Sequence, residues 1–346
     1  MKFHAPSYYS SFFCPPGGCA DTCCACWEVV IDEESRARYE ALPGELGKRL
    51  RAQLRRDADG DSYLALVNGA CPMLRSDGLC ELQKTLGENM LSNVCARYPR
   101  FSYSFGALTE EGISLSCPVA CELIMTQPFS IIETQTDALP EPNDIDPMLY
   151  LALLRGRETA FSIARDPDFA VAERIALLLA FSEALSADID AAVGLCAAWN
   201  ESATRKAALE AVSPKRRTDF NKLTAVFAAM EPLSPRFPAL LSSLTHGAPI
   251  ADEALAERLL LYYIYKYFLQ SAYDGKILRR VQYIAASMLM HGALLAAHPS
   301  AQRSEQVALL QRYARETEHS EQNMAQFFRF AGPRRQKFFY ALLLKP

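Results

Sequence analysis

The stretch FFCPPGGCADTCCACWEVVID at residues 12–32 decides how the first part of the chain folds. It places five cysteines between Cys14 and Cys26, and ten of the 11 cysteines in the sequence lie between Cys14 and Cys121. Thiols at this density can pair as disulfides, hold a metal or react with a substrate. Which of these applies decides both the architecture and the function of this region.

The composition is that of an ordinary globular protein. Half of the 346 residues are hydrophobic, and the net charge of -4 argues against a nucleic-acid-binding or anionic-membrane-binding protein. The longest apolar runs are shorter than the roughly 20 residues of a membrane span, and the N-terminus lacks the apolar segment of a secretion signal. We therefore expect no membrane association and a cytoplasmic location, where dense cysteines more often bind metal or do chemistry than form disulfides.

The first part is predicted to be an α+β domain. It is rich in turn signals such as PPGG, ADGD and SDG. WEVVID and SYLALV predict short strands, ESRARYEAL and ELGKRLRAQLRR predict short helices, and LCELQKTLG with ENMLSNVCARY predicts a helix broken near Gly87. The polar segment TDALPEPNDIDP contains three prolines and predicts a linker, because such a composition resists regular structure.

Beyond this segment the pattern is helical. PMLYLALLRGRETAFSIA carries apolar residues at three- and four-residue spacing, and DEALAERLLLYYIYKYFLQSAYDG opens with acidic residues and stops at Gly275. Three further long segments show the same pattern. We predict a mainly α protein, with an N-terminal cysteine-rich α+β metal-cluster domain at residues 1–130, a linker at 131–148 and an all-α helical bundle at 149–346.

The clustered cysteines predict at least one metal centre. Three of them lie on one short loop and three surround a turn and a helix: Cys19, Cys23 and Cys24, then Cys71, Cys80 and Cys95. Zinc normally takes four ligands from short-spaced pairs, and no clean pair with zinc-finger spacing occurs. An iron–sulfur cluster takes four thiolates at varied spacings. The spacing leaves both metals open, and some cysteines can instead be buried apolar residues.

Four motifs in this region resemble those of the flagellin lysine-N-methylase family. They are C-x-x-x-CC-x-x-W in CADTCCACW, C-P-x-L…G-x-C in CPMLRSDGLC, C-x-x-Y-P-R in CARYPR and S-C-P in SLSCP. All four occur in the family's order, and the match is dense over the first third of the chain. The second motif also resembles a wider set of cysteine-cluster proteins that chelate iron or zinc.

The resemblance implies methyl transfer from S-adenosylmethionine to lysines of flagellin, together with a four-iron four-sulfur (4Fe-4S) cluster. The metal ligands that it implies are Cys14, Cys19, Cys23, Cys24, Cys71, Cys80, Cys95 and Cys117. These exceed the four ligands of one cluster, so either two clusters are present or some thiols have another role. The family usually has Gly at Cys26 and an acidic residue at Val119, near the extra Cys121, which argues against Cys26 and Cys121 as ligands.

Methyl transfer requires a neutral amine, whereas free lysine has a pKa of about 10.4, so a base or a desolvating pocket must help. The sequence has no glycine-rich nucleotide fingerprint, and Cys24 directly follows Cys23, which departs from the C-x3-C-x2-C spacing of radical enzymes. We expect a structural or donor-orienting cluster. The candidate catalytic residues are Arg97 and Arg100, to hold a carboxylate, and Tyr98, to line the pocket; alternatively the arginines are solvated and Tyr98 simply packs beside the cluster.

Other polar and aromatic residues are assigned no catalytic role. Trp27 is expected to shield the cluster from water, and TEE at residues 109–111 to form a loop, which could recognise lysines. The five histidines show no spacing typical of a zinc site. An aromatic stripe predicts burial between neighbouring helices; it consists of Tyr262, Tyr263, Tyr265, Tyr267 and Phe268.

The leading hypothesis is therefore a cluster-containing lysine methyltransferase acting on flagellin. One alternative is a zinc- or iron-chelating interaction module without methyltransferase activity, which the missing donor fingerprint favours. Another is an electron-transfer or cluster-storage protein. The four ordered motifs favour the enzyme, and the sequence does not indicate an oligomeric state.

Overall fold

The computed structural model describes residues 1–15, 19, 21–137, 139, 143–216, 218–244 and 246–344. Within these residues the protein is mainly helical, as predicted, and the strands lie in its first part. The strands are β1 (Lys2–Pro6), β2 (Val30–Ile31), β3 (Leu54–Arg56), β4 (Ser62–Leu64), β5 (Arg100–Phe105), β6 (Leu108–Ile113) and β7 (Ile131–Gln135).

The helices of the first part are short. They are α1 (Glu33–Ala41), α2 (Gly44–Gln53), α3 (Glu81–Leu86), α4 (Asn93–Arg97) and α5 (Pro118–Thr126). The predicted break near Gly87 is confirmed, because this residue has a φ of 87° and ends α3. The helix predicted over ELGKRLRAQLRR ends early, since its last residues leave α2 and pair with β4 as strand β3.

A small three-stranded sheet, ordered β2-β4-β3, supports the cysteine motifs. It confirms the strands predicted at WEVVID and SYLALV. Together with α1, α2 and α3 it encloses a core of its own, separate from the main core. The buried members of this small core are Ile31, Tyr39, Leu50, Leu64, Met73 and Leu82.

A four-stranded sheet, ordered β5-β6-β1-β7, was not predicted. Strand β1 runs parallel to β6 and antiparallel to β7, so the sheet joins segments that are distant in sequence. The prediction of a loop at TEE is wrong, because these residues lie in β6. There Thr109 and Glu110 are buried, and Glu110 pairs with Arg157 at 2.6 Å.

The second part is built from helices α6 to α17. They are α6 (Pro147–Ala164), α7 (Val171–Ala187), α8 (Ala192–Trp199), α9 (Ser202–Val212), α10 (Asn221–Ala228), α11 (Arg236–Ser242), α12 (Glu253–Tyr267), α13 (Ser271–Asp274), α14 (Ile277–Ala297), α15 (Arg303–Glu318), α16 (Glu321–Phe330) and α17 (Gln336–Leu343). Helix α14 is buried on all sides along most of its length, and it packs against α7, α12, α15 and α17. No helix of the described ranges is both long and apolar enough to cross a membrane.

The two parts share one hydrophobic core. Helix α5 packs against α12 and α15, and the aromatic stripe of α12 is buried, as predicted. Strand β7 occupies the start of the predicted linker at 131–148, and α6 begins at Pro147. Residues 138 and 140–142 of that linker lie outside the described residues. The cysteine motifs are therefore held against the bundle rather than on a separate body.

Candidate functional site

Backbone hydrogen bonds join the first two cysteine motifs. The N–H of Cys71 donates to the carbonyl of Cys24 at 2.7 Å, and the N–H of Cys26 donates to the carbonyl of Gly69 at 2.9 Å. Cys26 adopts a φ of 72°, which turns the chain between these two bonds. The Trp27 indole N–H donates to the carbonyl of Cys23 at 2.8 Å, and this hydrogen bond links two residues of the same loop.

Three other cysteines lie at helix N-termini. Cys80 immediately precedes α3, Cys117 immediately precedes α5, and Cys95 lies in the first turn of α4. The free N–H groups of the first helical turn point toward Cys80 and Cys117, and Ser92 hydrogen-bonds to Cys95. Such donors favour the thiolate form, which is the form that binds metals.

The structure places all eight predicted ligand thiols in one region, where each interacts electrostatically with at least one other. Cys24 interacts with the thiols of Cys14, Cys23, Cys71, Cys80 and Cys95. A second group consists of Cys117 with Cys14 and Cys19. The four motifs therefore converge in space, although they are separated along the chain.

Burial disfavours the thiolate form of these cysteines when no positive charge is nearby. It raises the pKa of Cys71 to about 12 and that of Cys117 to about 11. A hydrogen bond from the Cys23 thiol lowers the pKa of Cys24, so Cys24 ionises before its neighbour. A metal cation would supply the missing counter-charge, since a coordinated thiol loses its proton.

The donor set fits a thiolate-bound metal by its chemistry, whereas its arrangement is not that of an assembled metal site. All 11 cysteines are free thiols rather than disulfides. Over the described ranges, no three metal-binding side chains are grouped as a metal site. Cys14, Cys19 and Cys95 are exposed, so one side of the thiol group faces solvent.

The cysteines that were not predicted as ligands have different surroundings. Cys121 is fully buried, and its thiol contacts Met125 and the carbonyl of Val307. Cys196 is buried in the helical bundle. Cys26 lines a small pocket together with residues of α11 and α15.

This pocket separates the cysteine loop from α11 and α15 and has mixed charge. Its charged and polar lining includes Asp21, Ser234, Arg236, Arg312, Arg315 and Glu316. Burial raises the pKa of Glu316 to about 7, although backbone N–H groups donate to its carboxylate. The Nε atoms of Arg312 and Arg315 are buried without a hydrogen-bond partner among the described residues. The pocket therefore offers both cationic and anionic contacts.

Arg315 connects the helical bundle to the cysteine loop. Its guanidinium donates to the carbonyl of Thr22 at 3.0 Å and to the carbonyl of Ala25, and it pairs with Asp21 at 3.3 Å. It also lies 4.1 Å from the centroid of the Trp27 ring, within cation–π distance. Arg315 is 3% exposed, so this contact fixes the loop from the buried side.

Three aromatic rings meet beside the thiols. The ring centroids of Trp27 and Tyr98 are 5.5 Å apart, those of Trp27 and His319 are 5.0 Å apart, and those of Tyr98 and His319 are 5.7 Å apart. At these separations the rings touch one another. The His319 ring packs against Trp27 and Tyr98, while the residue keeps exposed surface from which a ligand can reach it.

A buried polar network continues from His319 into the core. Ser116 Oγ lies 2.6 Å from His319 Nε2 and 2.8 Å from Ser114 Oγ, and Ser114 Oγ lies 2.5 Å from a carboxylate oxygen of Glu318. The same oxygen lies 2.5 Å from the Lys266 ammonium. Burial lowers the pKa of Lys266, while the charge of Glu318 opposes this shift.

The predicted catalytic residues have different environments. Tyr98 lies beside Trp27 and His319, and its hydroxyl donates to the carbonyl of Ser116 at 2.9 Å. Arg97 is exposed on α4. Arg100 is partly buried and its guanidinium lies 4.9 Å from the Phe12 ring centroid. The structure thus brings only Tyr98 into the polar network.

Lys266, Glu318 and His319 were not predicted as site residues from the sequence. His319 and Ser320 separate α15 from α16, and Ser320 caps α16 by accepting the N–H of Asn323. A serine in the middle of a helical pattern is a signal for such a break. A lysine inside a buried aromatic stripe likewise indicates an acidic partner.

Comparisons with known proteins agree on one family. Residues 157–332, half of the chain, match the FliB lysine N-methylase C-terminal domain. The Salmonella muenchen protein named flagellar biosynthetic protein FliU is 29% identical over 129 residues, which cover 36% of this chain and 76% of that protein. No solved structure matches.

Two proteins named lysine-N-methylase are also similar. The protein of Salmonella choleraesuis is 27% identical over 150 residues and that of Salmonella typhimurium is 26% identical over 149 residues. Each match covers 41% of this chain and only 37% of the length of the relative. The helical bundle carries the family match, and the chain belongs to the FliB lysine N-methylase family.

Proposed function

We propose that the protein transfers methyl groups from S-adenosylmethionine to lysine side chains of flagellin, and that its cysteines hold a 4Fe-4S cluster. Family membership supports protein lysine methylation, and the name of the FliU relative supports a flagellar substrate. The free thiols are consistent with a reaction in the cytoplasm, where thiols stay reduced.

The observation that carries the proposal is the convergence of the thiols beside the Trp27–Tyr98–His319 rings. Thiols from four separated motifs interact electrostatically with one another, and Arg315 of the bundle holds the loop that supplies Cys23 and Cys24. The reacting groups would meet at this junction.

One set of four thiols interacts mutually. It consists of Cys24, Cys71, Cys80 and Cys95, the number that one cluster requires. Cys14 and Cys23 also interact with Cys24, and Cys14 links this set to Cys19 and Cys117. We propose the set of four as the cluster ligands. A bound cluster would neutralise the thiolates and fix the loop that carries Trp27; zinc in the same four positions is the alternative metal.

The methyl donor needs a site for its amino and carboxylate groups. The pocket beside Arg315 offers arginines for a carboxylate and Glu316 for an ammonium group. In the reaction, the amine nitrogen forms a bond to the methyl carbon while the carbon–sulfur bond breaks and its electron pair stays on sulfur. The product ammonium then loses its proton to solvent.

Label transfer from the donor to flagellin tests the proposal. Anaerobically purified protein is incubated with flagellin and methyl-labelled S-adenosylmethionine, and the flagellin is hydrolysed to amino acids. Label in Nε-methyl-lysine, with equimolar formation of S-adenosylhomocysteine, is the expected result. Metal-loaded protein that transfers no label would contradict the proposal and would favour a metal-binding interaction module.

A further inference from the structure

The hydrogen bonds around Ser114 and Ser116 run in one direction. The carboxylate of Glu318, paired with Lys266, accepts hydrogen bonds, so Ser114 donates its hydroxyl proton to it at 2.5 Å. Ser114 then has no proton left for Ser116, and Ser116 donates to Ser114 at 2.8 Å. By the same reasoning, Nε2 of His319 donates to Ser116 Oγ at 2.6 Å.

This chain of donors fixes the tautomer of His319. The proton lies on Nε2, so Nδ1 keeps its lone pair, and in the described chain no side chain or backbone group hydrogen-bonds to Nδ1. Desolvation, together with the positive charges of Lys266 and Arg315, lowers the pKa of His319 to about 3. The imidazole therefore stays neutral and presents an acceptor beside the rings of Trp27 and Tyr98.

We propose that Nδ1 of His319 accepts a hydrogen bond from the neutral amine of the substrate lysine and so directs the nitrogen lone pair toward the methyl donor. The inference rests on the proposed function and names the amine site within it. His319 touches the substrate, while Ser116, Ser114 and Glu318 are positioning residues that act through it.

The packing around His319 favours an amine over an ammonium group. Lys266 is paired with Glu318 and Arg315 with Asp21, and an incoming ammonium would lose hydration against the rings of Trp27 and Tyr98. The substrate gives up this proton to solvent as it binds. After N–C bond formation and C–S cleavage, the methylated ammonium no longer has a lone pair to direct, and the same loss of hydration favours its release.

Two substitutions separate the two ring nitrogens. His319→Asn keeps an acceptor oxygen near the position of Nδ1, whereas His319→Gln keeps a donor near Nε2 and removes the acceptor. We expect His319→Gln to lower kcat/KM for the lysine substrate by about 100-fold, and His319→Asn by about tenfold. His298→Gln is the matched control, because His298 hydrogen-bonds to Leu294 at the end of α14.

Equal kcat/KM for His319→Gln and the wild type would overturn the inference while leaving the proposed function intact. A readout independent of activity is the 15N spectrum of the imidazoles, with His319 assigned by its loss in His319→Gln. We expect a neutral Nε2–H tautomer throughout the range from about pH 5 to 8, where histidines usually titrate. An Nδ1–H tautomer or an imidazolium at pH 6 would overturn the inference, even if flagellin is not methylated. The Ser116→Ala variant should populate both tautomers.

Discussion

Ser116 Oγ lies 2.6 Å from Nε2 of His319, and this hydrogen bond joins the cysteine region to the helical bundle. Ser116 immediately precedes Cys117, and His319 directly follows α15. A displacement of the cysteine motifs would therefore move His319 and the rings around it. The thiol group and the proposed amine site are therefore linked through the shared core.

Replacing a cysteine of the proposed ligand set should remove iron. Cys24→Ser, Cys71→Ser and Cys80→Ser should each lose most of the bound iron, because four thiolates hold one cluster. Cys196→Ser is the control, since Cys196 is buried in the helical bundle. Iron and sulfide are measured on anaerobically purified protein, and equal iron in Cys24→Ser and Cys196→Ser would contradict the assignment.

Breaking the Lys266–Glu318 pair should destabilise the fold. Glu318→Gln leaves a buried ammonium without its counter-charge, and we expect a loss of about 3–5 kcal/mol in the free energy of unfolding. The double variant Lys266→Met with Glu318→Gln should lose less, because the unpaired charge is gone. Urea denaturation at neutral pH measures both, and a double variant less stable than Glu318→Gln would rule out this account.

His4 should make stability depend on pH. Its hydrogen bond to Glu110 is the largest of the contributions that raise its pKa above 6.5, with Glu133 adding to the effect and burial opposing it. A raised folded-state pKa contributes stability that is complete below 6.5 and is lost as the pH rises through the folded value. The gap in unfolding free energy between wild type and His4→Gln should thus be larger at pH 6 than at pH 8. A gap that does not change with pH would refute this role.

Two glycines should respond in opposite ways to alanine. A Cβ at Gly292 of α14 would lie 1.9 Å from the carbonyl oxygen of Ala248, so Gly292→Ala should destabilise the protein by about 1–3 kcal/mol. A Cβ at Gly194 of α8 meets nothing within 4 Å, so Gly194→Ala should stabilise it by about 0.5–1 kcal/mol. Thermal unfolding of the two variants checks this, and equal shifts would contradict the close packing at Gly292.

The sequence predicted those features that depend on local pattern. The start of α6 and the burial of the aromatic stripe follow from spacing and punctuation, and both are confirmed. Gly275 ends a helix as predicted, but the segment before it is divided into α12 and α13 rather than being one helix. The four-stranded sheet was missed, because β1 pairs with β6 and β7, far along the chain. A single strand pattern contains no information about such distant partners.

Only the cysteine-rich part of the site was predictable from the sequence. The cysteine motifs and Tyr98 were identified from their motifs, and the structure gathers the thiols into one region. Lys266 lies within the aromatic stripe of α12, and Glu318 and His319 lie at the end of α15. Their role depends on how α12 and α15 pack against α5, which side-chain pattern alone does not specify.

Methyl transfer to flagellin by matched variants tests the central claim most directly. Wild type, Ser116→Ala and Cys196→Ser, loaded with equal iron, are incubated with flagellin and labelled S-adenosylmethionine, and Nε-methyl-lysine is counted. The account predicts equal label with wild type and Cys196→Ser, and about tenfold less with Ser116→Ala. Iron-loaded wild type that leaves flagellin unlabelled, or Ser116→Ala that labels it as fast as wild type, would contradict a methyl-transfer site at this junction.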